Sequence, residues 1–449
     1  MKTKVHVLAG LLALCSLGAQ AQWVNQPVAG TRTNQINLAI SAVDANVAWT
    51  TVANLDDDND DFFTQLFSRT TNGGATWTTT TIASLARDEV VTALYAQSAT
   101  TAWVTVGTTS AAEIGRVLRT TDGGSTWIAQ TTATQFASPN SVPGVIRFFD
   151  ANNGVVIGNP VNGRFEVYTT SNAGATWTVV PAANTPAQQD QDKLPFPLPV
   201  VAQSGNSIWV GTDEGRLLRS TDRGLTWAAS ATGLEYLEAV AFRDAQNGLA
   251  MNEDGDYVRS TDGGATWARL NPTGPVRSIG LDNIPGTRTY VSTGFGDFDP
   301  GSSYSTDDGQ TWTAIESTIN HALVDFVSPT VGWSGGLTVD ADGDAVGGNG
   351  MNKYTGQPLA TNAALAAQLG LSAYPNPSPD GNFTVRAPGL KTAATVRVLD
   401  GLGRQVLAQR WAAPQFAPLT LDLSGQVVGV YVLELVTSEG LVRQKLVVR

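Results

Sequence analysis

"STDGGATW" runs from Ser260 to Trp267, and five further segments of the chain repeat it with small changes. They read TTNGGATW at Thr70–Trp77, TTDGGSTW at Thr120–Trp127, TSNAGATW at Thr170–Trp177, STDRGLTW at Ser220–Trp227 and STDDGQTW at Ser305–Trp312. These segments are named the boxes below. Their tryptophans lie 40 to 50 residues apart. A period of that length indicates an array of supersecondary units.

Each unit has the same internal order. In the unit that ends at Trp267, strands are predicted around Val240–Phe242, from Gly248 and over Tyr257–Ser260, and Trp267 opens the fourth. Aspartate and glycine mark the turns, whereas apolar and β-branched residues fill the strands. Four short antiparallel strands at this period predict the blade of an all-β propeller.

The number of blades follows from the two ends of the array. A seventh unit occupies residues 321–356 without a box, and Gln22–Gln26 resembles the strand that follows each box. We therefore predict a seven-bladed β-propeller over residues 22–358, in which the N-terminal strand completes the last blade. This closure removes exposed sheet edges, which a secreted protein without disulfides has to protect.

The box residues have a structural interpretation. An Asp or Asn in a hairpin turn accepts hydrogen bonds from backbone N–H groups, a glycine permits positive φ, and a tryptophan is large enough to pack between blades. Six catalytic sites of one design are implausible, whereas six identical turns are expected. We assign structural roles to Asn72, Trp77, Asp122, Trp127, Asn172, Trp177, Asp222, Trp227, Asp262, Trp267, Asp307 and Trp312.

The boxes resemble the Asp-box, or BNR, repeats of sialidases, xyloglucanases, sortilin-type receptors and photosystem II assembly factor-like propellers. The resemblance covers about residues 22–358. In those families the box is structural and lies away from the ligand. The resemblance therefore implies the fold and leaves the activity open.

The N-terminus predicts export. Lys2 and Lys4 precede a short apolar stretch, Val5–Gly18, and Ala19-Gln20-Ala21 forms a cleavage site. Residues 1–21 are therefore predicted to be a secretory signal peptide, too short for a stable membrane span. The one cysteine of the chain, Cys15, lies in this segment, so we expect neither disulfides nor thiolate ligands beyond it.

Composition excludes several classes of function. His321 is the only histidine beyond the signal segment, which leaves little from which to build a zinc cluster or a Ser-His-Asp triad. The net charge is −12, and Lys193 and Lys353 are the only lysines between residues 22 and 371. Such a surface repels phosphate backbones, so nucleic acid is not an expected partner.

The C-terminal residues predict a second, smaller domain. An alanine-rich linker with at most one short helix is expected over residues 359–371. Residues 372–449 alternate between apolar and polar positions and predict a small immunoglobulin-like β-sandwich.

This domain resembles the C-terminal sorting domain of the type IX secretion system of Bacteroidota. The resemblance rests on several short motifs, among them Tyr374, Pro375, Asn376, Pro377, Gly429, Tyr431, Lys445 and Val447. It implies passage through the periplasm and across the outer membrane, recognition by the secretion machinery and, usually, later removal of the domain. The mature protein is expected outside the cell or on the outer-membrane surface, without a transmembrane segment.

The alternative function is a secreted glycoside hydrolase, sialidase-like or xyloglucanase-like. Arg147 and Arg277 are the obvious arginines on innermost strands, without a clear third. Two Tyr/Glu pairs, Glu166/Tyr168 and Tyr236/Glu238, have the spacing of residues that share a strand face. Each pair is more often a solvated or packing pair than a catalytic one, and no catalytic residue is assigned.

Carboxylates concentrate in loops that are expected to share one face of the propeller. The acidic segments are Asp56–Asp61, Asp213-Glu214, Glu253–Asp256, Asp297–Asp299 and Asp340–Asp344, and the long loop 181–199 overhangs the same face. Either a solvated rim or a binding surface for a protein or glycan explains them. Asp340, Asp342 and Asp344 resemble half of a calcium loop, although Ala345 stands where an EF-hand needs glycine. Calcium is the one cofactor considered, and a non-enzymatic binding propeller is the preferred function.

Overall fold

The computed structural model describes residues 22–449 except 56–61, 110–113, 139, 196–198, 297–298, 357–368, 391–392, 401–404, 413–417 and 438–439. The predicted signal peptide and most of the predicted linker thus lie outside the described residues. In the part of the chain that is described, no helix is long and apolar enough to cross a membrane.

The strands between Trp23 and Tyr354 form seven four-stranded antiparallel sheets, the blades, in the described residues. Blades 1 to 3 comprise β2 to β13: Gln35–Ala42, Ala48–Asn54, Phe63–Thr70, Thr78–Thr81; Glu89–Ala96, Ala102–Thr108, Gly115–Thr120, Ile128–Ala129; Pro143–Phe148, Gly154–Val161, Arg164–Thr170, Thr178–Val179. Blades 4 and 5 comprise β14 to β21: Val201–Ser204, Ser207–Gly211, Arg216–Ser220, Ala228–Ala231; Ala239–Phe242, Gly248–Met251, Tyr257–Ser260, Ala268–Leu270. Blades 6 and 7 comprise β22 to β28: Gly280–Asn283, Tyr290–Gly294, Gly301–Ser305, Thr313–Glu316; His321–Ser328, Val331–Val339, Ala345–Tyr354, with β1, Trp23–Gln26, as the fourth strand of blade 7.

Burial explains the composition of each blade. The second strands are buried along most of their length, as in "AWVTVGT" of β7, because a neighbouring blade covers each face. The fourth strands are mostly exposed, as in "TTTT" of β5. Apolar side chains therefore accumulate on inner strands and form separate clusters between successive blades rather than one common core.

The N-terminal strand closes the ring. β1 pairs with β28 in antiparallel register from Trp23 opposite Tyr354 to Gln26 opposite Met351. The prediction of closure by the first strand is therefore confirmed. Trp23 is 2% exposed and packs in the cluster between blades 6 and 7 with Val291 and Phe326.

Buried polar contacts hold this closure in place. The indole of Trp23 donates to Ser302 Oγ at 2.8 Å, and Ser302 donates to Glu316 at 3.0 Å. His321, which is fully buried, contacts Glu316 at 3.0 Å, and its ring lies 4.8 Å from that of Trp23. Burial is the largest effect on the His321 pKa and lowers it, so the imidazole is neutral at pH 7. The lone histidine is thus a core residue of the closing junction.

The boxes form one repeated hydrogen-bonded turn between third and fourth strands. Ser260 Oγ donates to Asp262 Oδ1 and accepts from the N–H of Gly264, at 2.9 and 2.7 Å. Asp262 accepts the backbone N–H of Thr266 at 2.9 Å and its hydroxyl at 2.6 Å. In the two boxes with asparagine the bond to the threonine hydroxyl has the opposite direction, because the side-chain amide is the donor: Asn72 Nδ2 donates to Thr76 Oγ1 at 2.8 Å.

Two successive residues of each box have positive φ. The fifth-position glycines have φ near that of Gly264, which is 84°, as expected from the sequence. The fourth position is also left-handed, although Ala173, Arg223 and Asp308 occupy it in three boxes. In five boxes its N–H donates to a carbonyl of the loop between first and second strands, as from Arg223 to Asn206 at 3.0 Å. This second bond offsets strain that the sequence pattern does not reveal.

Each box tryptophan packs against the preceding blade. Trp127 of blade 2 meets Trp49 and Phe67 of blade 1 at 6.5 and 5.6 Å between ring centroids. The other five occupy equivalent clusters, with Trp227 and Trp267 half-buried. Trp23 stands at the start of the fourth strand of blade 7, just as Trp77 stands before the fourth strand of blade 1. It therefore supplies the seventh equivalent indole, at the closing junction.

The C-terminal domain has two sheets around a core of its own. β29 (Ser372–Tyr374), β30 (Asn382–Arg386) and β33 (Leu419–Asp422) form one sheet. β31 (Ala394–Leu399), β32 (Gln405–Trp411), β34 (Gly429–Thr437) and β35 (Gly440–Val448) form the other. Their shared apolar core includes Phe383, Val396 and Leu433. The predicted all-β class, a propeller followed by a small two-sheet domain, is confirmed.

We expect Trp23→Ala to lower the free energy of unfolding by about 3–5 kcal/mol, the usual loss for a buried large aromatic. The neighbouring Val24→Ala is the matched control, because Val24 is 45% exposed and surface changes usually stay within about 0.5 kcal/mol. Urea unfolding of both variants measures the difference. Equal, small losses would show that the propeller does not depend on this closure.

We expect Asp122→Asn to preserve the box turn, because Asn72 and Asn172 make the same turn in other boxes. Asp122→Ala should lower the unfolding temperature, since the bonds from Thr126 are lost. Those bonds, first the hydroxyl and then the N–H, lower the Asp122 pKa to about 2. Its stabilising effect should therefore be present above pH 4 and be lost as pH falls through 2.

Thermal unfolding at pH 7 and at pH 2 distinguishes these variants. At pH 7 Asp122→Asn should lower the unfolding temperature less than Asp122→Ala does, and the difference between the parent protein and Asp122→Ala should be smaller at pH 2 than at pH 7. A destabilisation of both variants by the same amount at pH 7 would mean that the carboxylate charge, and not the hydrogen bonds, stabilises the turn.

Candidate functional site

A cavity of about 640 Å³ lies at the centre of the seven blades. Every blade contributes lining residues, mostly from its first strand. Loops between first and second strands also line it, including Val43, Gln97, Gly205 and Gly286. The volume falls within the range of about 300–1,000 Å³ that is usual for small-molecule sites.

The strand register places one residue from each first strand at the same level in this cavity. Each pairs through the second strand with the third-strand residue that precedes the box or its equivalent; Tyr95, for example, faces Trp103, which faces Arg119. We name these seven residues the channel ring: Ser41, Tyr95, Arg147, Ala202, Ala241, Asp282 and Asp325.

Three members of the channel ring accept a backbone N–H from the next blade. Asp282 accepts the N–H of Phe326 at 2.6 Å, and Asp325 accepts the N–H of Ala42 at 2.7 Å. Ser41 accepts the N–H of Ala96 at 2.9 Å. The same position thus links blade 6 to 7, 7 to 1 and 1 to 2. Sequence reasoning missed Asp282 and Asp325; a single carboxylate within an otherwise apolar first strand was the available signal.

Burial changes the protonation of the two ring aspartates. It raises the pKa of Asp282 well above the ordinary value, and repulsion from Asp325 adds to the effect. Burial likewise raises the pKa of Asp325 to about 6, although the bond from Ala42 and the charge of Arg147 oppose the rise. The ionisation of one carboxyl therefore affects that of the other, and a nearby cation would favour the ionised form of both.

The predicted acidic segments that are described do share one face. Asp213 and Glu214, Glu253–Asp256, Asp299 and Asp340–Asp344 all lie in loops between second and third strands. Asp256 pairs with Arg269, and Asp299 pairs with Arg277 at 3.1 Å. Asp56–Asp61, Asp297 and Phe298 lie outside the described residues.

An unneutralised group of carboxylates remains on blades 4 and 5. We name it the acidic patch: Asp213, Glu214, Glu235, Glu253 and Asp254, all exposed and without an ion pair to any described residue. Tyr236 donates to Asp254 at 3.1 Å. Glu238 lines the cavity below the patch, and its pKa rises to about 7 through burial and then through repulsion by Glu253.

The long loop 181–199 is tied to this face over its described part. It contains a 3-10 turn at Ala182–Asn184. Asp192 is fully buried and forms an ion pair with Arg216 at 2.7 Å. The described part of the loop is therefore held beside the acidic patch.

The calcium candidates stabilise their own turn. Asp340 Oδ1 accepts the N–H groups of Asp342 and Asp344, both at 3.0 Å. Among the described residues, no group of three or more His, Cys, Asp or Glu side chains is placed to hold a metal. Calcium binding stays a prediction.

The two Tyr/Glu pairs differ from each other. Tyr168 donates to Glu166 at 2.6 Å on the third strand of blade 3, and its ring packs 4.9 Å from that of Phe136. Tyr236 bonds to Asp254 rather than to Glu238. Of the two arginines considered, Arg147 lies on an innermost strand, whereas Arg277 precedes β22. Glu166 and Tyr168 therefore have structural contacts within blade 3 that explain their pairing.

The sorting motifs come together in the C-terminal domain. Asn376 donates to the carbonyl of Lys445 at 2.6 Å and accepts the N–H of Val447 at 3.0 Å. Tyr431 donates to the carbonyl of Val427 at 2.6 Å. Three apolar or aromatic side chains of this domain are exposed: Tyr374 at 42%, Val427 at 80% and Val428 at 73%. Pro375 and Pro377 flank Asn376. At Gly429 an added side chain would meet no atom closer than 3.8 Å.

Comparison with known proteins separates the two domains in the same way. Residues 137–296 match the family described as the DUF6242 beta propeller domain. Residues 372–449 match the family described as the secretion system C-terminal sorting domain, which indicates type IX export to the cell surface or the extracellular space. No curated protein matches the chain.

Solved structures with a similar fold include two of YCF48. YCF48 bound to D1 peptide has a TM-score of 0.51 and 18% identity over 75% of this chain and 97% of that chain. YCF48 from Cyanidioschyzon merolae has a TM-score of 0.52 and 15% identity over 74% and 99%. At these identities the likeness establishes the fold alone. The chain thus combines a β-propeller similar to DUF6242 domains and to YCF48 with a domain similar to secretion system C-terminal sorting domains.

Proposed function

We propose that this protein is an exported, non-enzymatic binding propeller that holds a basic protein segment on its acidic patch. The signal peptide at residues 1–21 would direct it to the periplasm of a Bacteroidota cell, and the type IX machinery would carry it further. The observation that supports binding is the set of exposed carboxylates on blades 4 and 5 without ion pairs to described residues.

The electrostatics of the acidic patch favour a cationic partner. Other carboxylates of this face have arginine partners, as Asp256 and Asp299 do. Glu253 instead adds to the rise of the Glu238 pKa to about 7, an effect second to that of burial. A lysine or arginine side chain at the patch would relieve this repulsion and favour the ionised carboxyl.

The fold is compatible with a peptide partner. YCF48 bound to D1 peptide is a propeller of similar fold that holds a peptide. We carry over only the class of ligand, an extended protein segment, and the charge of this surface supplies its basic character. A glycan is the alternative ligand.

Glycoside hydrolysis is the second candidate function, because the channel ring contains a pair of carboxylates. Asp282 and Asp325 lie on adjacent blades, and each accepts a backbone N–H from the next blade. Glycosidases usually place an acid and a base or nucleophile on either side of the scissile bond. A pair on one wall of the cavity fits this geometry poorly. Release of reducing sugar from a panel of polysaccharides would favour the enzyme.

We expect deletion of Lys445–Arg449 to retain the protein in the periplasm of a host with the type IX system. The deletion removes the partners of Asn376 on β35 and half of the pairing with β34. Immunoblots of periplasm and medium measure the distribution, and the unfolding temperature of the propeller serves as the control for folding. Secretion at the parental level would contradict the sorting role.

We expect the double variant Glu253→Gln, Asp254→Asn to weaken binding of a lysine-rich decapeptide about three- to tenfold, because each exposed ion pair contributes about 0.2–1 kcal/mol. The matched control, Asp122→Asn with Asp262→Asn, removes two charges from the opposite face and should bind as the parent does. Calorimetry in about 0.15 M salt limits long-range attraction.

Two outcomes would contradict the proposed partner. Equal losses in both double variants would show attraction to net charge alone. Binding on a glycan array, together with no measurable peptide binding, would replace the basic segment with a glycan.

A further inference from the structure

We propose that the central cavity binds a small zwitterion of the amino-acid class, with its carboxylate on Arg147 and its ammonium between Asp282 and Asp325. This site is separate from the acidic patch and does not depend on the function proposed above. It rests on the arrangement of charged side chains around the channel ring.

Arg147 is a half-buried cation on which the charge of Asp325 acts without an ion pair between the two. Its Nη1 donates to the carbonyl of the neighbouring Ile146 at 2.8 Å. No ion pair joins it to any carboxylate among the described residues. Burial lowers the Arg147 pKa, which is the sign of a poorly solvated guanidinium. Since guanidinium has five N–H donors in a planar fork, most of its capacity to bind a carboxylate is unused.

The two aspartates form no ion pair, and the charge of Arg147 acts on Asp325 only from across the channel. Asp282 uses its oxygens for the N–H groups of Asn283 and Phe326, at 2.7 and 2.6 Å. Asp325 uses Oδ2 for Ala42. These bonds orient both carboxylates, yet no Lys or Arg of the described residues forms an ion pair with either. An ammonium group that reaches both would replace their repulsion with attraction.

The order of blades places the two charges across the channel from one another. Arg147 belongs to blade 3, whereas Asp282 and Asp325 belong to blades 6 and 7. In a ring of seven, the position opposite blade 3 lies between blades 6 and 7. A ligand in the channel therefore meets a cation on one side and an anionic pair on the other.

Neutral polar groups and volume complete the site. Tyr95 and Gln203 line the same cavity and both donate to the carbonyl of Phe148, at 3.2 and 3.1 Å. These bonds hold the side chains beside Arg147. The cavity of about 640 Å³ accommodates an amino acid or a short peptide. A cation alone would leave Arg147 unpaired, and an anion alone would leave the aspartates unpaired, so one ligand that carries both charges satisfies the site best.

The cavity reaches the face that carries the box turns. Its lining includes Val43, Gln97, Gly205 and Gly286 in loops between first and second strands, whereas Glu238 lies toward the acidic patch. A small ligand can therefore be tested without competition from a partner on the acidic patch.

Calorimetry with the full mature chain and a ladder of zwitterions tests the proposal. The probes are glycine, 4-aminobutyrate, 6-aminohexanoate and triglycine, with 1,4-diaminobutane and succinate as controls that carry charge of only one sign. At least one zwitterion should bind at least about tenfold more tightly than either control, which corresponds to about 1.4 kcal/mol. The length that binds best reports the separation of the two charges. Absence of binding by all four zwitterions, or equal binding of the diamine, overturns the proposal.

Variants assign the two ends of the ligand. Arg147→Gln should weaken the best zwitterion at least about tenfold, and Asp325→Asn should do the same while its amide oxygen still accepts from Ala42. Asp282→Asn provides a second carboxylate variant if Asp325→Asn fails to fold. Asp122→Asn, which changes an exposed carboxylate outside the cavity, should leave affinity unchanged. Undiminished binding in folded Arg147 and aspartate variants would place the ligand elsewhere and overturn the assignment.

Discussion

Closure of the ring by the N-terminal strand is the interaction on which the propeller depends. Each blade buries its faces only because a neighbour lies on both sides, and an open array would expose the edge and inner strands of its end blades. β1 provides the missing strand of blade 7, and Trp23 fills the junction that box tryptophans fill elsewhere. Hydrogen bonds through Ser302, Glu316 and His321 hold this junction together.

The repeated turns confine structural chemistry to one face of the molecule. The box carboxylates and amides satisfy N–H groups of their own hairpin, and each indole packs on the preceding blade. The loops between second and third strands contain neither the box hydrogen bonds nor the box tryptophans, so their composition can vary without loss of the fold. Acidic residues have accumulated there on blades 4 and 5, and this separation of roles makes the face suitable for a partner.

The channel combines stability with unused binding capacity. Ser41, Asp282 and Asp325 connect successive blades through backbone N–H groups, so the carboxylates contribute to the assembly of the ring. Burial raises the pKa of both aspartates, and repulsion from Asp325 adds to the rise for Asp282, while Arg147 stands across the axis without an ion-pair partner among the described residues. Charges held apart in a polar cavity are a preorganised site for a ligand that connects them.

The sequence by itself determined the architecture, because every unit of a repeat fold has the same strand order and the same turns, and the units recur at a regular period. "STDGGATW" located the third and fourth strands, and Gln22–Gln26 predicted the closing strand. Short motifs likewise predicted the sorting domain. The tertiary structure alone decided the channel ring: Arg147, Asp282 and Asp325 are distant in sequence, and only the inter-strand register and the order of blades bring them to one level. The same holds for the positive φ at Arg223, since a tertiary hydrogen bond, and not local preference, stabilises it.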